Sequence, residues 1–564
     1  MKISLKEQVP KEVRKNLEDY DDFVAHLLYH RGITTSKDAK IFLQPDFERD
    51  LHDPFLMSGM EKAVDRILEA IEKKEKIIVW SDYDTDGIPG GVLMHDLFAK
   101  IGANFENYIP HRHNEGYGLN IPAIEKLAEG GANLLISVDS GITDVTQVER
   151  ANELGLDVII TDHHLPQKTL PPALVILNPK LKDQTYPFKD LCGCGVAFKL
   201  AQALLKKGDF DIPEGWEKWL LDMAGIATVS DMVPLTGENR ALAYFGLVVL
   251  RKSPRPGLQQ LLRKIRVNQR TITEDDIGFM IGPRINAASR MGEPMQAFEM
   301  LSTKSVGEGA QHAADLERIN ASRKVAVTKI TKEIKKKIST KSMDSPVIVM
   351  GNPHWRPSLL GLVANSLAEE YERPVFLWGK EGNGLIKGSC RTGADVNLVD
   401  LMAQAPEVFD GFGGHAAAGG FSIREEAIHT IEESLSAALL KLPKNKTQKN
   451  FEADLELEID QVNKELLAKI SKLAPFGVEN KKPEFLFKNI TPSSVIWFGK
   501  GKAHLKAMFE TKSGTVEAIA FFAKRDLGAD AKKLVEGEKI SLLAAVEYDS
   551  YKHVPRLRII KVLT

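Results

Sequence analysis

Six aspartates and two histidines fall at spacings that could hold divalent cations. Asp82, Asp84 and Asp86 alternate in SDYDTDG, directly after the apolar run IIVW (77–80). Asp139 follows LLISV (134–138), while Asp162, His163 and His164 follow DVIIT (157–161). Asp231 follows the apolar stretch MAGIATVS (223–230). So many carboxylates cannot gather bare, because like charges at close range raise one another's pKa and unpaired burial is costly. Cations resolve the conflict. Oxygen-rich donors with imidazole and no thiolate favour Mn²⁺ or Mg²⁺ over structural zinc. Two such ions roughly 3.5–4 Å apart could share a hydroxide for in-line attack on phosphorus. Taken singly, the motifs have plainer readings: DxDxDG is a solvated turn, the histidines are surface residues, and Asp231 is a helix cap. A calcium loop is disfavoured, since the glutamate expected at its end is absent and a helix begins instead.

The elements that must position these residues alternate. Apolar runs of four to six residues, including ALVIL (173–177), are separated by amphipathic segments such as GGVLMHDLFAKIG, IPAIEKLAEGG and VTQVERANELG. That pattern predicts an α/β fold whose parallel sheet is buried on both faces. In such a sheet, ligands bind beyond the carboxyl ends of the strands. The spacing therefore predicts one shared edge for all four acidic segments.

Around this segment the chain divides further. Residues 1–45 read as an N-terminal helical segment and 46–306 as the metal-bearing domain. Residues 307–342 read as a long, increasingly basic linker helix, and 343–440 as a second α/β domain with strands PVIVM and PVFLWG around the helix LLGLVANSLAEEY. The linker-like KLPKNKTQKN opens 441–564, where short strands (AHLKAMFE, VEAIAFFA, KISLLAAVEYD, PRLRIIKVL) predict a small β-barrel. No internal repeat or low-complexity tract is present.

At 564 residues, with 43% hydrophobic and 7% aromatic content, the chain has the size of three or four globular domains. Net charge is −2, but residues 441–564 carry about seven more Lys and Arg than Asp and Glu, a basic surplus suited to nucleic acid. The N-terminal stretch lacks an apolar core and no window could span a membrane, so neither secretion nor anchoring is expected. Cys192, Cys194 and Cys390 form no disulfide framework or CxxC pair, consistent with a reducing cytoplasm. The Gly-rich LCGCGVAFKL (191–200) around the first two reads as close packing of a loop on a helix.

The motifs DYDTDG, VDSGI, DHH and SDMVPL resemble the DHH phosphoesterase superfamily, and within it the RecJ family of bacterial single-strand-specific exonucleases. The similarity extends through NEGYGLN (114–120), LCGCGVAFKL, GENR (237–240), GPRINAASRMG (282–292), KGSCRT (387–392), GGH (413–415) and APFGVEN (474–480). The resemblance implies metal ligation by Asp82, Asp84, Asp86, Asp139, His163 and Asp231. His164 and Asp162 would support them, with Asp84, Asp86, Asp139, His163, His164 and His415 at the chemistry. Contacts to DNA phosphates would come from Arg112, Arg284, Asn286, Arg290 and Arg356. Ser389, Arg391, Gly413, Gly414 and His415 would join them from the second domain, with an anion nest at the two glycines. Arg284, Asn286 and Arg290 could equally brace a helix.

Two positions depart from the family pattern: Trp80 stands where many relatives place a histidine, and Trp355-Arg356-Pro357-Ser358 replaces a tryptophan-histidine-x-glycine string. The C-terminal barrel resembles an OB-fold, for which Trp497, Phe498, Phe509, Tyr548 and Tyr551 are stacking candidates beside Lys500, Lys502, Lys506, Arg556 and Arg558. The resemblance implies a single-stranded-DNA exonuclease acting from the 5′ end, with a single-strand-binding protein or helicase as conceivable partners. A small-substrate phosphodiesterase or oligoribonuclease of the same superfamily, and a non-catalytic single-strand-binding accessory protein, are the rival readings.

Overall fold

The computed structural model describes residues 3–340, 345–381, 384–443, 451–549 and 552–563. It resolves into two compact units, Pro54–Asp231 with Val249–Gln448, and Met1–Asp53 with Met232–Val248 and Lys449–Thr564.

The larger unit holds a five-stranded, wholly parallel sheet: β1 (Lys76–Ser81), β2 (Phe105–Tyr108), β3 (Ala132–Val138), β4 (Asp157–Thr161) and β5 (Val175–Leu177), in spatial order β2-β1-β3-β4-β5. Five of six residues in β1 are buried, as a parallel strand covered on both faces requires. Strand order reverses between β1 and β3, and the crevice at such a switch point is where open α/β sheets bind ligands. One face packs Ile78, Trp80, Leu135, Val158 and Ile160 against Leu119, Ile124 and Val148. Helices α1 (Gly87–Ile101), α2 (Gly193–Lys207) and α3 (Leu221–Ser230) pack on one another.

Helix α3 corrects the sequence reading. MAGIATVS is not a strand; it lies in a helix with eight of ten residues buried, and a helix apolar on all sides carries no amphipathic signature. Asp231 is therefore delivered by a helix C-terminus.

The same unit contains a second sheet of β6 (Ile348–Gly351), β7 (Pro374–Lys380), β8 (Ile386–Thr392), β9 (Phe409–Gly414) and β10 (Ala418–Ile423), ordered β9-β10-β8-β7-β6. Only β6 and β7 pair in parallel. Between the two sheets come helix α4 (Gly282–Met291) and the long helix α5 (Val306–Thr340). Residues 341–342 of the expected linker helix fall outside the described residues. Ile330, Ile334 and Ile338 of α5 pack on Leu359, Leu360 and Val363 of α6 (Pro357–Tyr371) and on Val375 and Leu377 of β7.

In the smaller unit, β11 (Leu455–Glu456), β12 (Glu484–Ile490), β13 (Ser494–Phe498), β14 (His504–Thr511), β15 (Gly514–Ala520), β16 (Ile540–Asp549) and β17 (Val554–Leu563) form a seven-stranded sheet ordered β11-β12-β16-β17-β15-β14-β13. Its core also takes in Leu17, Val24, Ala25, Leu27, Leu28 and Ala39. Ser4–Leu5 pairs in parallel with Glu452–Ala453, and buried Arg240 donates to the carbonyls of Phe42, Leu473 and Ala474. The expected N-terminal segment 1–45 is thus not a separate piece, because its apolar helix faces complete a core whose other half lies over 400 residues away.

Candidate metal centre and nucleic-acid interface

The acidic loop is folded by its own carboxylates. Asp84 Oδ1 accepts the backbone N–H groups of Asp86 (2.7 Å) and Gly87 (3.1 Å), turning the chain from β1 into α1. A Cβ at Gly87 would lie 2.5 Å from the Asp82 carbonyl, so only glycine permits this turn. The Asp86 carboxylate in turn accepts the N–H groups of Gly193 (2.6 Å) and Cys194 (2.8 Å), at the N-terminus of α2, where orphan amides and the helix dipole favour an anion. A Cβ at Gly193 would sit 2.5 Å from the Asp139 Cβ. The CGCG string therefore does more than pack a loop: it admits a helix end into the carboxylate cluster.

Asp139, after β3, adopts φ 61°, a left-handed conformation uncommon outside glycine, asparagine and aspartate. Its carbonyl accepts a hydrogen bond from the Tyr117 hydroxyl, which also lies 3.1 Å from His164 Nδ1. After β4, fully buried Asp162 accepts from the N–H groups of His163, His164 and Ile142, and from His164 Nδ1 at 2.8 Å. His163 Nε2 lies 3.2 Å from Asp139 Oδ1, 3.5 Å from Asp86 Oδ2 and 3.7 Å from Asp231 Oδ2.

Two donor triads result. Asp82, Asp84 and Asp139 offer ligand atoms within 4.8 Å of one another, as do Asp86, His163 and Asp231. A third grouping, Asp139 with His163 and His164, links them. The buried atoms Asp82 Oδ1, Asp139 Oδ1 and His163 Nδ1 have no hydrogen-bond partner. Burial and neighbouring carboxylates push Asp82 and Asp139 well above the usual carboxylate range and Asp231 up to about 9. Burial lowers His163, favouring the neutral ring that can ligate. Burial opposes the charges of Asp162 and His164, yet their mutual hydrogen bond prevails, lowering the acid and raising the imidazole. A hard, oxygen-rich donor set with unpaired buried lone pairs fits divalent cations.

These groups open onto a cleft of about 280 Å³. Arg112, Asn286 and Arg290 line it together with Asp82, Asp84, Asp139, His164 and Asp231. The Arg112 guanidinium sits 4.8 Å over the Tyr83 ring. Arg290 donates to the Ser358 carbonyl and accepts from the Ser358 hydroxyl, joining α4 to the start of α6. Burial first, then the nearby charges of Arg112, Arg323 and Arg391, bring its guanidinium down to about 10.

The other expected phosphate contacts are not among the residues lining this cleft. Arg284 is buried and turned inward to Glu317 (2.6 Å) and the Met280 carbonyl, a helix brace rather than a free cation. Ser389 and Arg391 sit two apart on β8, on the side covered by Gly361 of α6. Arg356 is exposed just before α6. Gly413, Gly414 and His415 are exposed on the β9–β10 hairpin, outside the lining of the cleft. The two glycines are ladder-paired with Gly420 and Gly419, an extended hairpin where a nest was expected. Trp80 lies wholly in the core, its ring 4.3 Å from that of Tyr108.

Among the barrel aromatics, Phe509 is 1% exposed and belongs to the core, as alternating strand positions allow. Trp497 packs partly on that core, Tyr548 is exposed, and Tyr551 lies outside the described residues. Sequence reading missed Phe521 and Phe522, both exposed and close to the His504 ring, with Arg525 5.0 Å over Phe522. The doubled phenylalanine at a strand end was the available signal. Lys506 and Arg556 are engaged by Glu517 and Glu547 respectively.

Comparison with known proteins agrees with this architecture. The DHH family N-terminal domain matches residues 76–228, the DHHA1 domain 344–441 and the RecJ OB domain 453–561. The single-stranded-DNA-specific exonuclease RecJ of Haemophilus influenzae is 33% identical over 495 residues, covering 84% of this chain and 85% of the relative. The chain belongs to the RecJ family. RecJ of Bacillus subtilis is 35% identical over 535 residues, 94% of this chain, which spans 66% of that longer relative. A crystal structure of Thermus thermophilus RecJ in complex with Mn²⁺ matches 100% of this chain and 79% of that one, with TM-score 0.81 and 26% identity. A manganese-bound exonuclease RecJ matches 69% of this chain and 96% of that one, with TM-score 0.59 and 32% identity. Among the described residues, no helix is long and apolar enough to cross a membrane.

Proposed function

We propose that this chain hydrolyses phosphodiester bonds of single-stranded DNA. The observation that carries the reading is the pair of donor triads formed by residues from four separate chain segments. Asp82, Asp84 and Asp139 would hold one divalent cation, Asp86, His163 and Asp231 the other. When bound, Mn²⁺ or Mg²⁺ lowers the pKa of an attacking water and offsets the charge developing on phosphorus.

The chain's own groups do the remainder. Arg112, Asn286 and Arg290 share the cleft with the acids and would hold the substrate's phosphates in line. Ser389 and Arg391 would take neighbouring phosphates, and His415 with Gly413, Gly414 and Arg356 would extend that track. Asp162 accepts from His164 Nδ1, which fixes the ring and leaves Nε2 as the atom able to pass a proton to the departing oxygen. Three buried, unpaired cysteines suit a reducing cytoplasm. Since only unpaired strands are cut in this reading, a helicase or single-strand-binding protein would supply the substrate.

The test is digestion of end-labelled single- and double-stranded DNA with and without Mn²⁺, alongside a dinucleotide. Manganese-dependent loss of the single strand alone, starting at the 5′ label, is the expected result. Strand binding without cleavage, or cleavage of the dinucleotide only, would overturn it.

A further inference from the structure

Helices α1 and α3 meet at two places. At the site end, Asp86 immediately precedes α1 and Asp231 immediately follows α3, and both face His163. Away from the site, Asp96 in the second half of α1 and Asp222 in the first turn of α3 are joined through one guanidinium. Arg255 donates from Nε to Asp222 Oδ2 (2.7 Å) and from Nη2 to Asp222 Oδ1 (3.1 Å), and its Nη1 lies 2.6 Å from Asp96 Oδ2. Nη1 also reaches the Leu301 carbonyl, while Ser253 and Lys304 complete the hydrogen bonding of the two acids. All three charged residues are less than 10% exposed.

Asp96 lies ten residues beyond Asp86 and Asp222 nine before Asp231, so the bridge stands about 15 Å behind the site at 1.5 Å per helical residue. Ala224, Gly225 and Ala227 of α3 are buried and contribute only short ridges, so interdigitation at these positions constrains axial sliding less than long side chains would. A slip of one residue's rise, ~1.5 Å, would part Asp231 from His163. A planar fork bonded to carboxylates on both helices opposes that slip directionally.

We infer that Arg255 is a positioning residue, which sets the register of α1 against α3 and so holds Asp86 and Asp231 around His163. This rests on the cation reading above. Buried ion clusters are often replaceable by apolar groups without loss of stability, so stability alone does not account for the bridge.

Calorimetric Mn²⁺ titration of the full chain tests it, with Arg255→Lys and with the apolar triple variant Asp96→Leu, Arg255→Met, Asp222→Leu. The triple variant is expected to melt close to the unaltered chain yet bind Mn²⁺ about tenfold more weakly, on the scale of outer-sphere substitutions. Arg255→Lys, which can reach only one carboxylate well, is expected to fall between the two. If the triple variant does not fold, Arg255→Lys decides. Weakened binding with unchanged melting supports the inference. Binding as tight as the unaltered chain's in the folded variants overturns it, whereas absence of Mn²⁺ binding by the unaltered chain overturns the cation reading and the bridge's role together.

Discussion

The backbone N–H of Gly193 donates to Asp86 Oδ2 at 2.6 Å while its Cα hydrogen side abuts Asp139, where a Cβ would come within 2.5 Å of the neighbouring Cβ. One glycine thus serves two acids from different strands. Gly193→Ala must push α2 away and loosen charge-assisted hydrogen bonds typically worth about 1.5–3 kcal/mol each. Mn²⁺-supported hydrolysis is expected to drop roughly 10–100-fold, as for lost support of a ligand. Retention of full activity would show that the helix end is dispensable.

Asp139 should be replaced with its backbone in mind. At φ 61°, Asn is tolerated, whereas Ala adds strain of order 1 kcal/mol. Asp139→Asn is expected to lower cleavage by several orders of magnitude, yet to raise melting temperature in EDTA by replacing a carboxyl whose ionisation burial and the neighbouring acids oppose. Asp139→Ala should be equally inactive but less stable than the Asn variant. Nuclease assays with paired thermal melts separate the two effects.

Without metal, stability should fall as pH rises. Asp231 is raised from 3.8 to about 9 by burial and the charges of Asp86 and Asp84. At this site the folded chain then binds more protons than the unfolded one between those values, so the contribution of Asp231 is full below about pH 4 and is lost as pH rises through about 9. Saturating Mn²⁺, which needs ionised ligands, should flatten this slope. Melting curves across pH in EDTA and in Mn²⁺ check the sign.

His26 gives the opposite dependence in the smaller unit. Burial holds its ring below 6.5, with Nε2 against the Asp454 carbonyl at 2.6 Å. Its contribution is present above pH 6.5 and lost as pH falls through the lowered folded value. Acid unfolding monitored in the unaltered chain and in His26→Gln should differ below that point, and identical acid limbs would refute the assignment.

Leu28→Ala removes a wholly buried side chain from the core that the N-terminal helices share with the C-terminal strands. A loss of about 2–5 kcal/mol is expected. It should show as faster proteolysis of residues 451–563, far away in sequence, while Mn²⁺ binding persists.

The strands bearing Asp82, Asp139 and Asp162 were legible because parallel strands buried on both faces read as unbroken apolar runs. The run before Asp231 misled for the same reason: a helix buried all round is just as featureless. Gly413 and Gly414 could not be placed, since glycine and alanine carry no pattern separating a turn from a hairpin. Phe509 and Phe521 have like chemistry but opposite environments, which only the course of the strand decides. The inward turn of Arg284 depends on Glu317, a partner that sequence spacing does not announce.

The core that joins Leu17, Val24 and Leu28 to strands beyond residue 451 has a consequence for biosynthesis. During translation these helices leave the ribosome hundreds of residues before the strands that bury them, at about 5–20 residues per second. For tens of seconds their apolar faces have no native cover, so this core closes only after the C-terminal strands have emerged.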